Sequence, residues 1–195
     1  MGRLLLRATV GGFFVGHGTQ KLFGWFGGHG PEATAQMFEG LGLHPAPLHA
    51  RAAGWAEAGG GGALALGFQT PLASSALIAT MLTAINRVHF KNGPWISNGG
   101  FEYNAVLIAT AVALAELGPG PLSLDRLLGT ERKGLRWGLF ALAAGAAGAA
   151  GAHLFAESQR PAVEPPAAAT TEETSGSQAT EVAGGAVEET AATAS

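Results

Sequence analysis

The sequence predicts an all-α integral membrane protein: four or five short, glycine-rich transmembrane helices followed by an acidic tail. Three observations carry this. Hydrophobic residues make up 47% of the 195 positions and charged residues only 13%, an unusual balance for a soluble domain. The apolar residues gather into runs close to the roughly 20 residues of helix that a bilayer core requires. The charges divide unevenly, since residues 157–195 hold seven acids (Glu157, Glu164, Glu172, Glu173, Glu181, Glu188, Glu189) against Arg160 alone. The preceding residues 1–156 carry ten basic and seven acidic groups, a balance suited to a membrane with anionic lipids.

Five runs meet the length requirement: Leu4–Phe26, His49–Phe68, Pro71–His89, Tyr103–Leu117 and Leu135–Ala156. The fourth is the shortest, and bilayer thinning or an oblique start accommodates it. Arg7 interrupts the first run and no small-x-small cleavage site comes after it, so an uncleaved first helix is expected. Between the first two runs, Pro31 can start a short helix and Gly40 or Gly42 can end it. Its Ala33, Met37, Phe38 and Leu41 fall near one face, which suits a helix lying at the membrane interface. Residues 157–195, rich in Ala, Thr, Glu, Pro, Ser and Gly, cannot bury enough apolar surface to fold and read as a disordered tail.

Glycine costs a helix about 1 kcal/mol relative to alanine, and in lipid close packing offsets that cost. Small-xxx-small steps occur at Gly12 and Gly16 on the first helix and at Gly54, Ala58 and Gly62 on the second. Gly145, Gly148 and Gly151 line the fifth. Lys and Arg counts favour a cytoplasmic N-terminus, with Arg3, Arg7, Arg126, Arg132, Lys133 and Arg136 on that side. Lys21, Arg51, Arg87 and Lys91 fall on the other. Five spans would place the tail outside the cytoplasm, and four would keep it inside.

A charged group inside a span costs about 2.5–3.5 kcal/mol, so each one needs a reason. Glu57 lies near the middle of the second span with Gly54 and Gly61 on its own face. Lys21 lies one turn beyond His17 within Gly16-His17-Gly18-Thr19-Gln20-Lys21. Counted at 1.5 Å per residue from the outer helix ends, Lys21 lies roughly 7 Å deep and Glu57 roughly 12 Å, so the two can pair. The third helix ends with Arg87 and His89 on the same side, where Glu102 opens the fourth. The candidate ligand-binding set is therefore Lys21, Glu57, His89, Glu102, His17 and Arg87. Bland alternatives stand beside it: a structural Lys21–Glu57 pair, and interfacial reach by Arg87, Lys91 and Glu102. Arg7 and Glu116 are expected to stay at the cytoplasmic interface. Phe13, Phe14, Phe68 and Phe90 would suit the walls of a site for a lipophilic ring.

Such a cluster can bind a small anion, relay protons to a quinone-like acceptor or line a permeation path. The chain has no cysteine, which excludes a thiol nucleophile, a Cys-ligated metal and a disulfide framework. Six histidines are scattered without a His-x-x-x-His pair, so no metal site is expected. Gly59–Gly62 has no strand before it and lacks Gly-Lys-Ser/Thr, so no nucleotide is expected, and no nucleic-acid signature occurs.

One set of residues also has a family look. It comprises Arg7 with Gly16-His17-Gly18-x-x-Lys21, Glu57 with its adjoining glycines, His89, Phe101-Glu102, and Gly118-Pro119-Gly120-x-x-Ser123-Leu124-Asp125. In order and spacing this set resembles the DoxX family of small bacterial membrane proteins over about residues 3–130. The resemblance implies a four-helix DoxX-like membrane domain over residues 1–130; the chain departs from that pattern in residues 131–156, an additional transmembrane helix, and in the tail 157–195. It also implies the bacterial inner membrane and protein partners in a redox or oxidative-stress complex, since some relatives are subunits of thiosulfate:quinone oxidoreductases. Catalysis, if any, would then belong to a quinone-linked oxidoreductase of which the chain is a subunit. A quinone is the candidate cofactor. The alternatives are a small-molecule permease component and a ligand-free scaffold, and a homo-oligomer is left open.

Overall fold

The structure, a computed structural model, describes residues 1–161. These are helical or lie in turns and connections, with no strand among them. The expected disordered tail lies, from residue 162 onward, outside the described residues.

Proline and glycine set most of the helix boundaries. Helix α1 (Gly2–Phe23) ends where Gly24 turns left-handed at φ 71° and its N–H reaches the Gln20 carbonyl, three residues before the expected end at Phe26. Helix α2 (Gly30–Gly40) forms where a short helix is expected, with Pro31 in its first turn. Helix α3 (Ala46–Leu66) starts earlier than His49 because Pro47 is preset for a first turn, and it closes on Gly67 at φ 65°. Helix α4 (Thr70–Ala84) continues through a π-helical turn, Ile85–His89. Helix α5 (Glu102–Leu117), the four-residue α6 (Leu124–Leu127) and the long α7 (Leu135–Ser158) complete the order. Among the described residues α7 is the one helix that is both long and apolar enough to cross a membrane by composition alone. α1 and α3 have the length, but their charges and glycines dilute the apolar character.

α1 packs chiefly on α3, and α2 caps the end of that pair. α4 lies between α3 and α5, and α7 packs against both α4 and α5. α1 and α5 meet only sparingly. Arg3 ties them at one end by donating to the Leu117 carbonyl at 2.8 Å. α7 runs the height of the bundle. Gly134 N–H donates to Glu116 O at 2.7 Å at the α5 end. At its other end Ala156 is fully buried among Phe38, Leu43, Ala46 and Ala50. Ser158 therefore lies at the opposite end of the bundle from Met1.

On α1 the close approach to α3 uses glycines spaced by seven rather than the expected four, while on α3 the expected Gly54–Ala58 step does meet Gly18. A Cβ on Gly18 would strike the Ala58 backbone nitrogen and come within 2.6 Å of the Gly54 carbonyl. One on Gly61 would come within 2.6 Å of the Gly11 carbonyl. Residues seven apart return to the same stripe after two turns, so Gly11 and Gly18 face Gly54 and Gly61 along a single seam. Among the described residues Gly12 and Gly16 face open space instead, and the small-xxx-small step they form makes no interface there. On α7, Gly145 packs tightly on Ile78 and Gly148 touches Ala79, whereas Gly151 meets none of the described residues.

This sorts the glycines experimentally. Gly18→Ala should destabilise the bundle by at least about 2 kcal/mol, because the added methyl meets backbone that cannot rotate away. Gly12→Ala should be neutral or stabilising by up to about 1 kcal/mol. Thermal unfolding of the two variants in the same detergent separates them.

Candidate functional site

A cavity of about 720 Å³ runs through the bundle, walled by residues from α1, α2, α3, α4, α5 and α7. Its size falls within the range of small-molecule sites. α1 contributes one stripe at helical spacing, Leu6, Val10, Phe13, Phe14, His17 and Lys21, about 22 Å long at 1.5 Å per residue. Apart from Thr9, the α1 wall is apolar from Leu6 to Phe14, and from there the polar groups collect toward the α2 end. Of the phenylalanines expected around a ring, Phe13 and Phe14 line the cavity. Phe68 and Phe90 do not: Phe68 sits in the turn after α3, and Phe90 stacks on Phe101 at 6.3 Å between centroids.

Lys21 and Glu57 meet at the polar end, with Nζ to Oε2 at 2.5 Å. The seam explains the pairing, because Glu57 shares the face of Gly54 and Gly61 and so lies against α1. The Glu57 side chain is 7% exposed and that of Lys21 22%, so little water screens the pair. Lys21 also donates to the His17 carbonyl at 3.4 Å. His17 itself is exposed, with Nδ1 at 3.1 Å from Gln20 Oε1.

The π-helical turn at the end of α4 brings Arg87 and His89 into the same wall. An extra residue in the turn rotates the side chains beyond it relative to an α-helix, a device common at functional sites. His89 Nδ1 lies 2.7 Å from the Gly99 carbonyl. A carbonyl can only accept, so Nδ1 carries the proton. Arg87 Nη1 donates to Leu41 O at 3.5 Å, and Nη2 lies 3.5 Å from Glu157 of α7. Glu102 opens α5, where a carboxylate favours the helix N-terminus, but it stands outside the cavity lining. Asn104, two residues on, does line it and donates to Met81 Sδ at 3.3 Å.

Sequence reasoning missed a second polar centre, at the opposite end of the bundle. Arg7 does not reach for the interface as expected. It is 1% exposed and donates to the carbonyls of Pro119 and Leu122 at 2.6 Å each. Asp125, also 1% exposed, accepts from the backbone N–H groups of Gln69 at 3.0 Å and Thr70 at 3.2 Å. It thus caps α4 from a distant part of the chain, since Gln69 offers no side-chain cap of its own. The signal for Arg7 was available. Arg7, Gly11, Phe14 and Gly18 are spaced 4, 3 and 4 and form the buried face of α1. Glu116 is exposed, as expected of an interfacial residue. His49 is a further unforeseen lining residue, its Nε2 at 3.2 Å from His44 O.

Removing one member of a buried ion pair strands the other, whereas replacing both with apolar groups is often near neutral. Glu57→Leu should therefore cost about 3 kcal/mol, and adding Lys21→Met should recover most of it. Chemical unfolding of the two singles and the double checks this.

Comparison with curated proteins and with solved structures gives no match. The sequence model of the DoxX family matches residues 2–90, a shorter stretch than the resemblance over about 3–130. The match takes in Arg7, His17, Lys21, Glu57, Arg87 and His89, and leaves Glu102, Asp125 and α7 outside. Residues 2–90 thus carry a DoxX domain, the mark of a membrane protein of the DoxX type.

Proposed function

We propose that this chain is a multi-pass subunit of a redox or oxidative-stress complex in the bacterial plasma membrane. In this reading it holds a lipophilic ligand with a quinone-like or anionic polar end. The observation that carries the proposal is the Lys21–Glu57 pair at the polar end of an otherwise apolar cavity. Such a cavity suits a molecule with a ring or head at one end and hydrocarbon at the other. The role assigned to the subunit is holding the ligand; electron transfer belongs to the complex.

The outer surface supports a lipid setting. Leu5, Trp55, Leu72, Leu139 and Leu154 are all more than half exposed, as side chains that face lipid are. Phe23, Trp25, Phe26, Phe90 and Trp95 gather at the α2 end, as residues of a membrane interface do. The basic residues Arg3, Arg126, Arg132, Lys133 and Arg136 gather at the other end, which favours a cytoplasmic N-terminus. With Met1 and Ser158 at opposite ends, α1, α3, α4, α5 and α7 make five spans. That count puts the tail outside the cytoplasm, with α7 as an addition to a four-helix unit.

A permease would need polar groups along its whole path. The cavity wall ends at Leu6, Thr9 and Val10, and Arg7 is turned away toward Pro119 and Leu122. A holding site therefore fits better than a conduit.

Titration of the purified full chain with a decyl-substituted benzoquinone tests the ligand reading. The Lys21→Met/Glu57→Leu double variant, expected to keep most of the stability, should bind at least about tenfold more weakly; unchanged affinity overturns the proposal. Protease added to intact spheroplasts should remove the tail while leaving the helices. A tail protected until the membrane is opened would sink the five-span topology.

A further inference from the structure

Polar groups at the polar end of the cavity differ in what they already hold. Lys21 is neutralised by Glu57 at 2.5 Å, and the His89 Nδ1 proton goes to Gly99 O. Arg87 differs. Its side chain is 15% exposed, and its Nε is buried without a hydrogen-bond partner among the described residues. Its two other contacts, Leu41 O and Glu157 Oε1, both lie at 3.5 Å, the outer limit of a hydrogen bond. A guanidinium has five N–H donors in a planar fork matched to a carboxylate, and charge-assisted bonds to it are normally about 2.7–2.9 Å. Arg87 is thus a largely desolvated cation whose bonding capacity is mostly unused.

Its acidic neighbour among the described residues is loosely held. Glu157 lies on the last turn of α7, its side chain is 47% exposed, and it is nearer to Arg160, at 3.0 Å, than to Arg87. Arg160 and water can keep Glu157 satisfied if it leaves Arg87, so the exchange costs little.

We propose that the cavity selects an amphiphile with an acidic head, that Arg87 receives the head, and that Glu157 is the internal carboxylate competing for the same guanidinium. This rests on the cavity being a ligand site and narrows its polar end to an anion. The apolar tail would lie along Phe13, Met81 and Leu107. Because Glu157 belongs to α7, an arriving acid also releases a contact that fastens the end of that helix to α4.

The test uses two probes of equal chain length, decanoate and 1-decanol, bound to the full chain in phosphatidylcholine nanodiscs and measured by equilibrium dialysis against empty discs. The wild type should prefer decanoate. Arg87→Gln should weaken decanoate about tenfold and leave decanol unchanged, the loss of one charge-assisted interaction. Glu157→Gln, at a half-exposed position that threatens the fold less, should strengthen decanoate severalfold with no effect on decanol. Equal binding of both probes to the wild type, or equal weakening of both by Arg87→Gln, overturns the acidic-head proposal while leaving the cavity reading intact. An unchanged decanoate affinity in Glu157→Gln overturns the competition. Failure of decanoate, decanol and the benzoquinone alike removes the cavity reading and this proposal with it.

Discussion

The contact of bare backbone between α1 and α3 sets everything else in place. Where Gly11, Gly18, Gly54 and Gly61 meet, a single methyl group would collide with a neighbouring main chain. Helices that approach this closely exclude lipid and water from their seam and gain dispersion along its length. Lys21 is one turn beyond Gly18, and Glu57 lies between Gly54 and Gly61. The seam therefore delivers a carboxylate and an ammonium to one another where little solvent weakens their attraction. The glycines' poor helix propensity is the cost of this arrangement, and the ion pair and the sealed interface offset it.

α1 carries a polar anchor at each end, and the two anchors differ in purpose. At the N-terminal end Arg7 donates to the carbonyls of residues 119 and 122, and Asp125 accepts from N–H groups at the start of α4 and from the Thr70 and Thr130 hydroxyls. They clip the connection between α5 and α7 beneath the bundle, and neither faces the cavity. At the α2 end the polar groups are side chains that face a space. The first anchor fixes the fold, and the second offers chemistry. That polarity along one helix underlies the proposed holding of an amphiphile in one orientation.

Much of the fold is legible in the chain itself. Pro31, Pro47 and Pro71 mark helix starts, Gly24 and Gly67 mark ends, and Lys21 and Glu57 announce themselves as charges inside apolar runs. The limits were specific and physical. Both Gly12/Gly16 and Gly11/Gly18 are compatible with a packing stripe, and only the partner helix decides between them. Asp125 caps a helix 55 residues away in sequence, a pairing that no local pattern encodes. Arg87 and His89 were expected near the cavity, but the π-helical turn that aims them leaves no mark in the periodicity. Glu102 carries the right charge at the right depth and still misses the lining, because the first turn of α5 points Asn104 inward instead.

The wall that α7 contributes is made of Gly148, Ala149 and Ala152, three of the smallest side chains available. α7 lies outside the stretch that matches the family, and it touches neither Lys21 nor Glu57. The bore of the chamber and the Lys21–Glu57 pair are therefore written in different parts of the gene product. Larger residues on α7 would narrow the bore and leave that pair untouched, so a lineage could retune which molecules fit by altering one helix.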